Sequence, residues 1–153
     1  MWVEVDFYSE PPAGRVWLRL PATVVEATSP QDDLDLALLV IDDAPDDIQP
    51  MAFGNSNELP RLSDLLVVGH PRSALPWTTE TSSLSNRDAR ELQVSRASLG
   101  PGSSGGPILN GQNQVVGVLF STLDTSAPGR IAGFGYAYRS DYIKSILKEW
   151  GML

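Results

Sequence analysis

Apolar residues in this chain alternate with polar ones or come in short runs closed by glycine and proline, and helical spacing appears only near the C-terminal end. That pattern limits the fold more than any other feature. Alternation with a period of two sets one face of a strand against a core, and a short apolar run between turn formers suits a strand buried on both faces. In "WVEVDFY", Val3, Val5 and Phe7 share one face, while Glu4 and Asp6 share the other. "GRVWLRLPATVVEA" also reads as extended, with Pro21 implying an edge or a bulge because it lacks the N–H of a ladder bond. "LDLALLVID" predicts a fully buried strand, "LLVVGHP" a buried strand closed by a turn, and "ELQVSRA" and "GGPILN" short strands. "GQNQ" is a hairpin turn into "VVGVLFS", "DTSAPGRIAG" a loop and "FGYAYRS" a further strand. The helix is expected in "SDYIKSILKEW", where Ile143, Ile146, Leu147 and Trp150 fall at helical spacing behind Ser140 as N-cap. Short strands at close spacing, punctuated by Gly and Pro, indicate an all-β sandwich or barrel.

The Pro-, Asn- and Asp-rich connection "APDDIQPMAFGNSNELP" marks a boundary within residues 44–60, dividing the chain into residues 1–50 and 51–153. A formal net charge of -8 argues against nucleic acid as a partner. Much of that acid sits in "SPQDDLDLALLVIDDAPDDIQP" and reads as solvated loops flanking a strand. With no cysteine, disulfides, thiolate zinc sites and thiol catalysis are all excluded, and a single histidine argues against a transition-metal site. No metal and no cofactor is therefore expected. No run approaches the length of a membrane span, and the N-terminal residues show no signal-peptide pattern, which together with the absence of cysteine favours the cytoplasm.

The chemistry is carried by "LGPGSSGGPILNGQNQVVGVLF", residues 99–120. As a phosphate cradle it lacks the lysine that should follow the glycines, and Pro107 removes a donor. As a hydrolase nucleophile elbow it satisfies G-x-S-x-G, but it leads into a hairpin rather than a helix and no histidine follows it. In a third reading, "GPGSSGGPILNGQNQVVGVLFS" resembles the serine loop of trypsin-like peptidases of the HtrA/Deg branch. "DLDLALLVID" is similar to that family's aspartate segment, "LLVVGHP" to the turn opening its second barrel, and "GFGYAYRSDYIKSIL" to its closing strand and helix. The four segments agree in order and rough spacing across nearly the whole chain.

The resemblance implies an all-β double β-barrel whose N-terminal barrel is incomplete, residues 1–50 being its remnant, with a complete C-terminal barrel and a C-terminal α-helix in residues 51–153. It also implies a serine endopeptidase acting on peptides or unfolded proteins. Ser104 would be the nucleophile, and the backbone N–H groups of Gly102 and Ser104 the oxyanion hole. Asp35 would be buried and would orient a histidine. Ser98, Phe120, Ser121, Thr122 and Gly135 would line the substrate pocket, and with no acid at its base an uncharged side chain is expected there. Ser103 stands where many animal relatives carry an acid that pairs with a freed N-terminus, so activation by cleavage is not expected.

The family's histidine precedes its aspartate, and no histidine lies upstream of Asp35. The remaining one, His70, gives the order Asp35, His70, Ser104, which is that of subtilisin-type triads, but nothing else resembles that family and a turn histidine is the simpler reading. The chain alone is thus expected to lack appreciable peptidase activity, the alternative being a peptide-binding pseudo-peptidase. A barrel without its first strands exposes unpaired edges, so an upstream segment or self-association is expected to cover them.

Overall fold

The computed structural model describes residues 1–8, 17–29, 31–72, 75, 77–95, 100–122 and 133–153. It divides into two compact units, Met1–Pro50 and Met51–Leu153.

The first unit is an antiparallel sheet of three strands, β1 (Trp2–Phe7), β2 (Leu18–Ala27) and β3 (Ala37–Val40), in the order β1-β2-β3. Asp6 and Arg19 are direct cross-strand partners, and the guanidinium Nε donates to the Asp6 carboxylate at 2.6 Å. Such opposite-charge pairs set register more than they add stability on an exposed face. Pro21 lies in the middle strand, yet β3 pairs only with β2 residues from Thr23 to Ala27. No β3 residue faces Pro21, so locally it stands on an edge, as its missing N–H requires. The β3 segment departs from the expectation of a fully buried strand. Leu39 is 38% and Val40 44% exposed, because a three-stranded sheet covers too little area to enclose a continuous apolar run.

The second unit is a closed barrel of six strands in the order β4-β5-β6-β9-β8-β7. These are β4 (Asp64–Gly69), β5 (Thr78–Arg87), β6 (Glu91–Ser95), β7 (Pro107–Leu109), β8 (Val115–Thr122) and β9 (Phe134–Arg139). Closure comes from β7 pairing with β4, Leu66 opposite Leu109 and Val67 opposite Ile108. Inward positions then lose all contact with water: Val67, Leu84, Leu92, Val94, Ile108 and Leu119 are each 0% exposed. The strand β5, "TTETSSLSNR", carries one large apolar residue, Leu84, and so lacks the alternation that marks the others. Its inward Ser82 is buried by donating its hydroxyl to the Ser95 carbonyl, which lets a polar strand face the core. The loop expected over residues 124–133 falls almost wholly outside the described residues.

The helix α1 (Ser140–Glu149) closes the chain, with Ile143 and Ile146 buried. Ser140 is its first helical residue and not its cap. The preceding Arg139 is extended, and the Ser140 hydroxyl donates to the Gly54 carbonyl at 2.8 Å instead. No side chain caps the helix from Arg139; the Asp141 N–H of the first turn instead donates to the Ser56 hydroxyl oxygen at 3.4 Å, and the Asp141 carboxylate returns the contact. Asp141 accepts from the Ser56 N–H and hydroxyl, both at 2.7 Å, from the Asn57 N–H, and from Lys144. Burial opposes its charged form, but the hydrogen bonds from Lys144 and Ser56 outweigh that and hold its carboxyl down at about 2. This links the first turn of α1 to the segment that precedes β4.

Candidate active site

The loop that follows β6 turns back on itself between Gly100 and Gly106 before entering β7. The Ser103 N–H donates to the Gly100 carbonyl and the Gly106 N–H to the Ser103 carbonyl. Gly102 has φ 103° and Gly105 φ 88°, the left-handed region that a side chain disfavours. Gly106 is required by space as well, since a Cβ there would lie 2.1 Å from the Val68 carbonyl oxygen. The loop is then zipped to β8, the Gly105 N–H donating to the Leu119 carbonyl and the Leu119 N–H to the Gly106 carbonyl.

These constraints turn two adjacent serines in opposite directions. Ser103 is 1% exposed, and its hydroxyl has no hydrogen-bond partner among the described residues. Ser104 is exposed, and its Oγ donates to the Phe120 carbonyl at 3.2 Å. Phe120 can accept there because it is the extra residue of a β-bulge, lying between Leu119 opposite Ala137 and Ser121 opposite Tyr136. Its ring stacks on Tyr138 at 4.2 Å. Among the described residues no hydrogen bond occupies the backbone N–H of Gly102 or Ser104. The loop therefore presents a hydroxyl and, among the described residues, two N–H groups that no hydrogen bond claims.

The other expected site residues are distributed as follows. Gly135 is buried in β9, paired with Val94 and Thr122, and Ser121 and Thr122 continue β8 beside it. Phe120 through Thr122 and Gly135 thus lie at neighbouring positions of one strand pair. Ser98 lies outside the described residues. Asp35 belongs to the first unit, two residues before the start of β3, and it is exposed rather than buried as expected. Its backbone is well held all the same: the Thr28 hydroxyl donates to the Leu34 carbonyl at 2.7 Å and accepts from the Leu36 N–H at 3.0 Å.

His70, weighed above as a base and read more simply as a turn histidine, lies near Ser104, and so does Trp77, which motif reading did not bring there. A cavity of about 340 Å³ adjoins Ser104, lined among the described residues by residues 102–107 of the serine loop and by Val68, Gly69, His70 and Trp77. The His70 and Trp77 rings meet edge to face at 5.8 Å. Nothing in the local sequence signals this, because it depends on the β4–β5 connection packing against the serine loop. The Arg72 N–H donates to the Pro101 carbonyl at 3.0 Å, and a Cβ on Gly102 would sit 2.7 Å from the His70 carbonyl oxygen. Among the described residues no group of three or more His, Asp or Glu side chains converges to hold a metal ion, and no helix is long and apolar enough to cross a membrane.

Comparison with known proteins agrees with this geometry. Residues 14–118 match the model of the trypsin-like peptidase domain. The chain is 30% identical over 126 residues to the serine protease Do-like HtrA of Lactobacillus helveticus, covering 75% of this chain and 30% of that protein. It is 31% identical over 139 residues to a probable periplasmic serine endoprotease, DegP-like, of Chlamydia pneumoniae, covering 86% of this chain and 27% of that protein. The chain thus spans under a third of the length of these relatives. Among solved structures, the HtrA-type protease AlgW with a decapeptide superimposes with a TM-score of 0.71 at 22% identity, over 86% of this chain and 41% of that one. The inactive form of the Rv3671c protease of M. tuberculosis H37Rv gives 0.69 at 22% identity, over 86% of this chain and 68% of that one. The fold, the order of the motifs and the family match converge: this chain belongs to the trypsin-like serine peptidases, as a domain of HtrA type.

Proposed function

We propose that this domain hydrolyses peptide bonds through Ser104, with a base supplied from outside these 153 residues. The observation that carries the reading is the serine loop itself, which exposes the Ser104 hydroxyl beside the unclaimed N–H groups of Gly102 and Ser104. Ser104 Oγ attacks the carbonyl carbon of the substrate, and the two N–H groups bind the resulting oxyanion. Asp35 orients the histidine that takes the Ser104 proton and returns it to the leaving amine. Phe120, Ser121, Thr122 and Gly135, with Ser98, receive an uncharged side chain on the acyl side. The strands that bring the histidine also cover the open edges of the first unit, or a second copy of the chain covers them.

A second reading is favoured by one observation: the Ser104 hydroxyl donates to a backbone carbonyl and not to an imidazole. In that reading the domain binds peptides without turning them over. Loss of a triad member leaves only about 10³–10⁴-fold acceleration over water, so the chain alone is expected neither to cleave casein measurably nor to label readily with a fluorophosphonate. Extending the chain N-terminally through its natural reading frame is expected to produce casein cleavage that Ser104→Ala abolishes. An extended protein that contains the histidine and stays inactive would establish the binding module. Strong labelling of the unextended chain, lost in both Ser104→Ala and His70→Ala, would instead place the base at His70.

A further inference from the structure

We infer that Tyr138 is a positioning residue for Ser104, acting through Phe120 and held in turn by the C-terminal helix, a role that for catalysis rests on Ser104 being the nucleophile. The Ser104 hydroxyl donates to the Phe120 carbonyl at 3.2 Å. That carbonyl belongs to the extra residue of the β8 bulge, between Leu119 opposite Ala137 and Ser121 opposite Tyr136. A strand ladder fixes a bulged residue less tightly than its neighbours, so the direction of its carbonyl depends on what its side chain packs against. Whatever holds the Phe120 ring therefore aims the acceptor of the Ser104 hydroxyl.

A ring stack holds it. The Phe120 and Tyr138 rings lie 4.2 Å apart and 18° from parallel. Stacking constrains the orientation of a ring as well as its distance, so the phenyl group follows the phenol. Tyr138 is itself buried, in β9 opposite Val118. Its ring also meets that of Tyr142 in α1, with centroids 6.5 Å apart. The Arg90 guanidinium lies 5.3 Å from the centre of the Tyr142 ring, within cation–π range.

The contacts thus lead from Arg90, between β5 and β6, through Tyr142 and Tyr138 to the bulge under Ser104. Both ends of this support are anchored by other bonds. The Arg90 carbonyl accepts from the Arg139 N–H at 3.0 Å, next to Tyr138 in β9. The first turn of α1 is tied by Asp141, which accepts from the Ser56 N–H at 2.7 Å, one residue before Tyr142. A nucleophile reacts fast only when its oxygen is held in the attacking geometry, and a misplacement of about 1 Å can cost about 10²-fold in rate. The stack supplies that hold from outside the serine loop.

The test is a double-mutant cycle on the full chain, read by nuclear magnetic resonance of its labelled backbone carbonyls. In the unmodified chain, Ser104→Ala removes the donor and is expected to move the Phe120 carbonyl resonance. In the Tyr138→Leu background the same substitution is expected to move it by about half as much or less, because the hydroxyl no longer meets that carbonyl. Tyr138→Phe keeps the stack and is expected to restore the full displacement. Comparing Ser104→Ala within each background cancels the direct effect of the lost ring on the resonance. Equal displacements in all three backgrounds overturn the inference. Should Tyr138→Leu fail to fold, Tyr142→Leu, on the helix outside the barrel, carries the same comparison with the same expected and overturning results. In the N-terminally extended protein, Tyr138→Leu is expected to lower kcat on casein about tenfold at unchanged KM, with Tyr138→Phe restoring it, and an unchanged kcat overturns the positioning role. An extended protein that is inactive in every form would establish the binding module instead, and the carbonyl comparison, which involves no turnover, would still decide the geometry.

Discussion

The two units are built from the same kind of strand and differ in closure. In the barrel, the last strand pairing returns to the first, and inward side chains such as Leu92 and Ile108 are 0% exposed. In the three-stranded sheet no such return occurs among the described residues, and Leu39 and Val40, of comparable hydrophobicity, are 38% and 44% exposed. Burial is thus a property of closure rather than of the residues. A leucine in β3 and a leucine in β6 contribute differently because only one of them is enclosed on all sides.

The largest expected effect is a test of that contrast. Leu92→Ala should destabilise the barrel by about 2–5 kcal/mol, and Leu39→Ala should cost the sheet less than about 1 kcal/mol. Urea unfolding followed by the amide signals of each unit reads the two separately. A cost for Leu39 equal to that for Leu92 would show that the sheet face is covered in solution and would erase the distinction.

The next effect sharpens the comparison through pH. Asp141 has its carboxyl held at about 2, below the ordinary 3.8. A carboxyl lowered in the folded state contributes stability above its unfolded value and loses it as pH falls through the folded one. Barrel stability should therefore decline between about pH 4 and pH 2, by roughly 2 kcal/mol in all. Asp141→Asn should remove this contribution at neutral pH and flatten the acid limb. The sheet, which contains no part of this network, should show the same acid response in both proteins. An unchanged acid limb in the barrel would remove Asp141 as its source.

The smallest effect concerns the paired serines. Ser103→Ala removes a buried hydroxyl that has no partner, and should stabilise the barrel by up to about 1 kcal/mol. A loss of stability instead would show that the hydroxyl is satisfied by bound water. Both results are read from the same unfolding curves.

Most of the strand framework is legible in the sequence. The period-two pattern marks β1 and the apolar runs mark β4 and β8, because half-buried and fully buried strands impose those spacings. The strand β5 was not legible, since Ser82 satisfies its polarity through a bond to Ser95, a residue on another strand. Ser140 reads as an N-cap for the same reason: its hydroxyl reaches Gly54, far away in sequence, and the helix has no side-chain cap at Arg139. The strand β3 and Asp35 read as buried and are largely exposed, because acids around an apolar run reveal where a strand ends and not whether anything covers it.

At the site the division is similar. The glycines of residues 102–106 reveal a sharp loop around Ser104, since left-handed backbone and a contact of 2.1 Å leave room for little else. The sequence by itself therefore determined the strands, the turns and the serine loop, all of which follow from local sterics and periodicity. Only the tertiary structure decided which serine faces solvent, which carbonyl the β-bulge turns toward it, and that His70 and Trp77 stand across the cavity from it. Those outcomes depend on barrel closure bringing β4, β7 and β8 side by side, and no short stretch of sequence encodes contact between strands that distant.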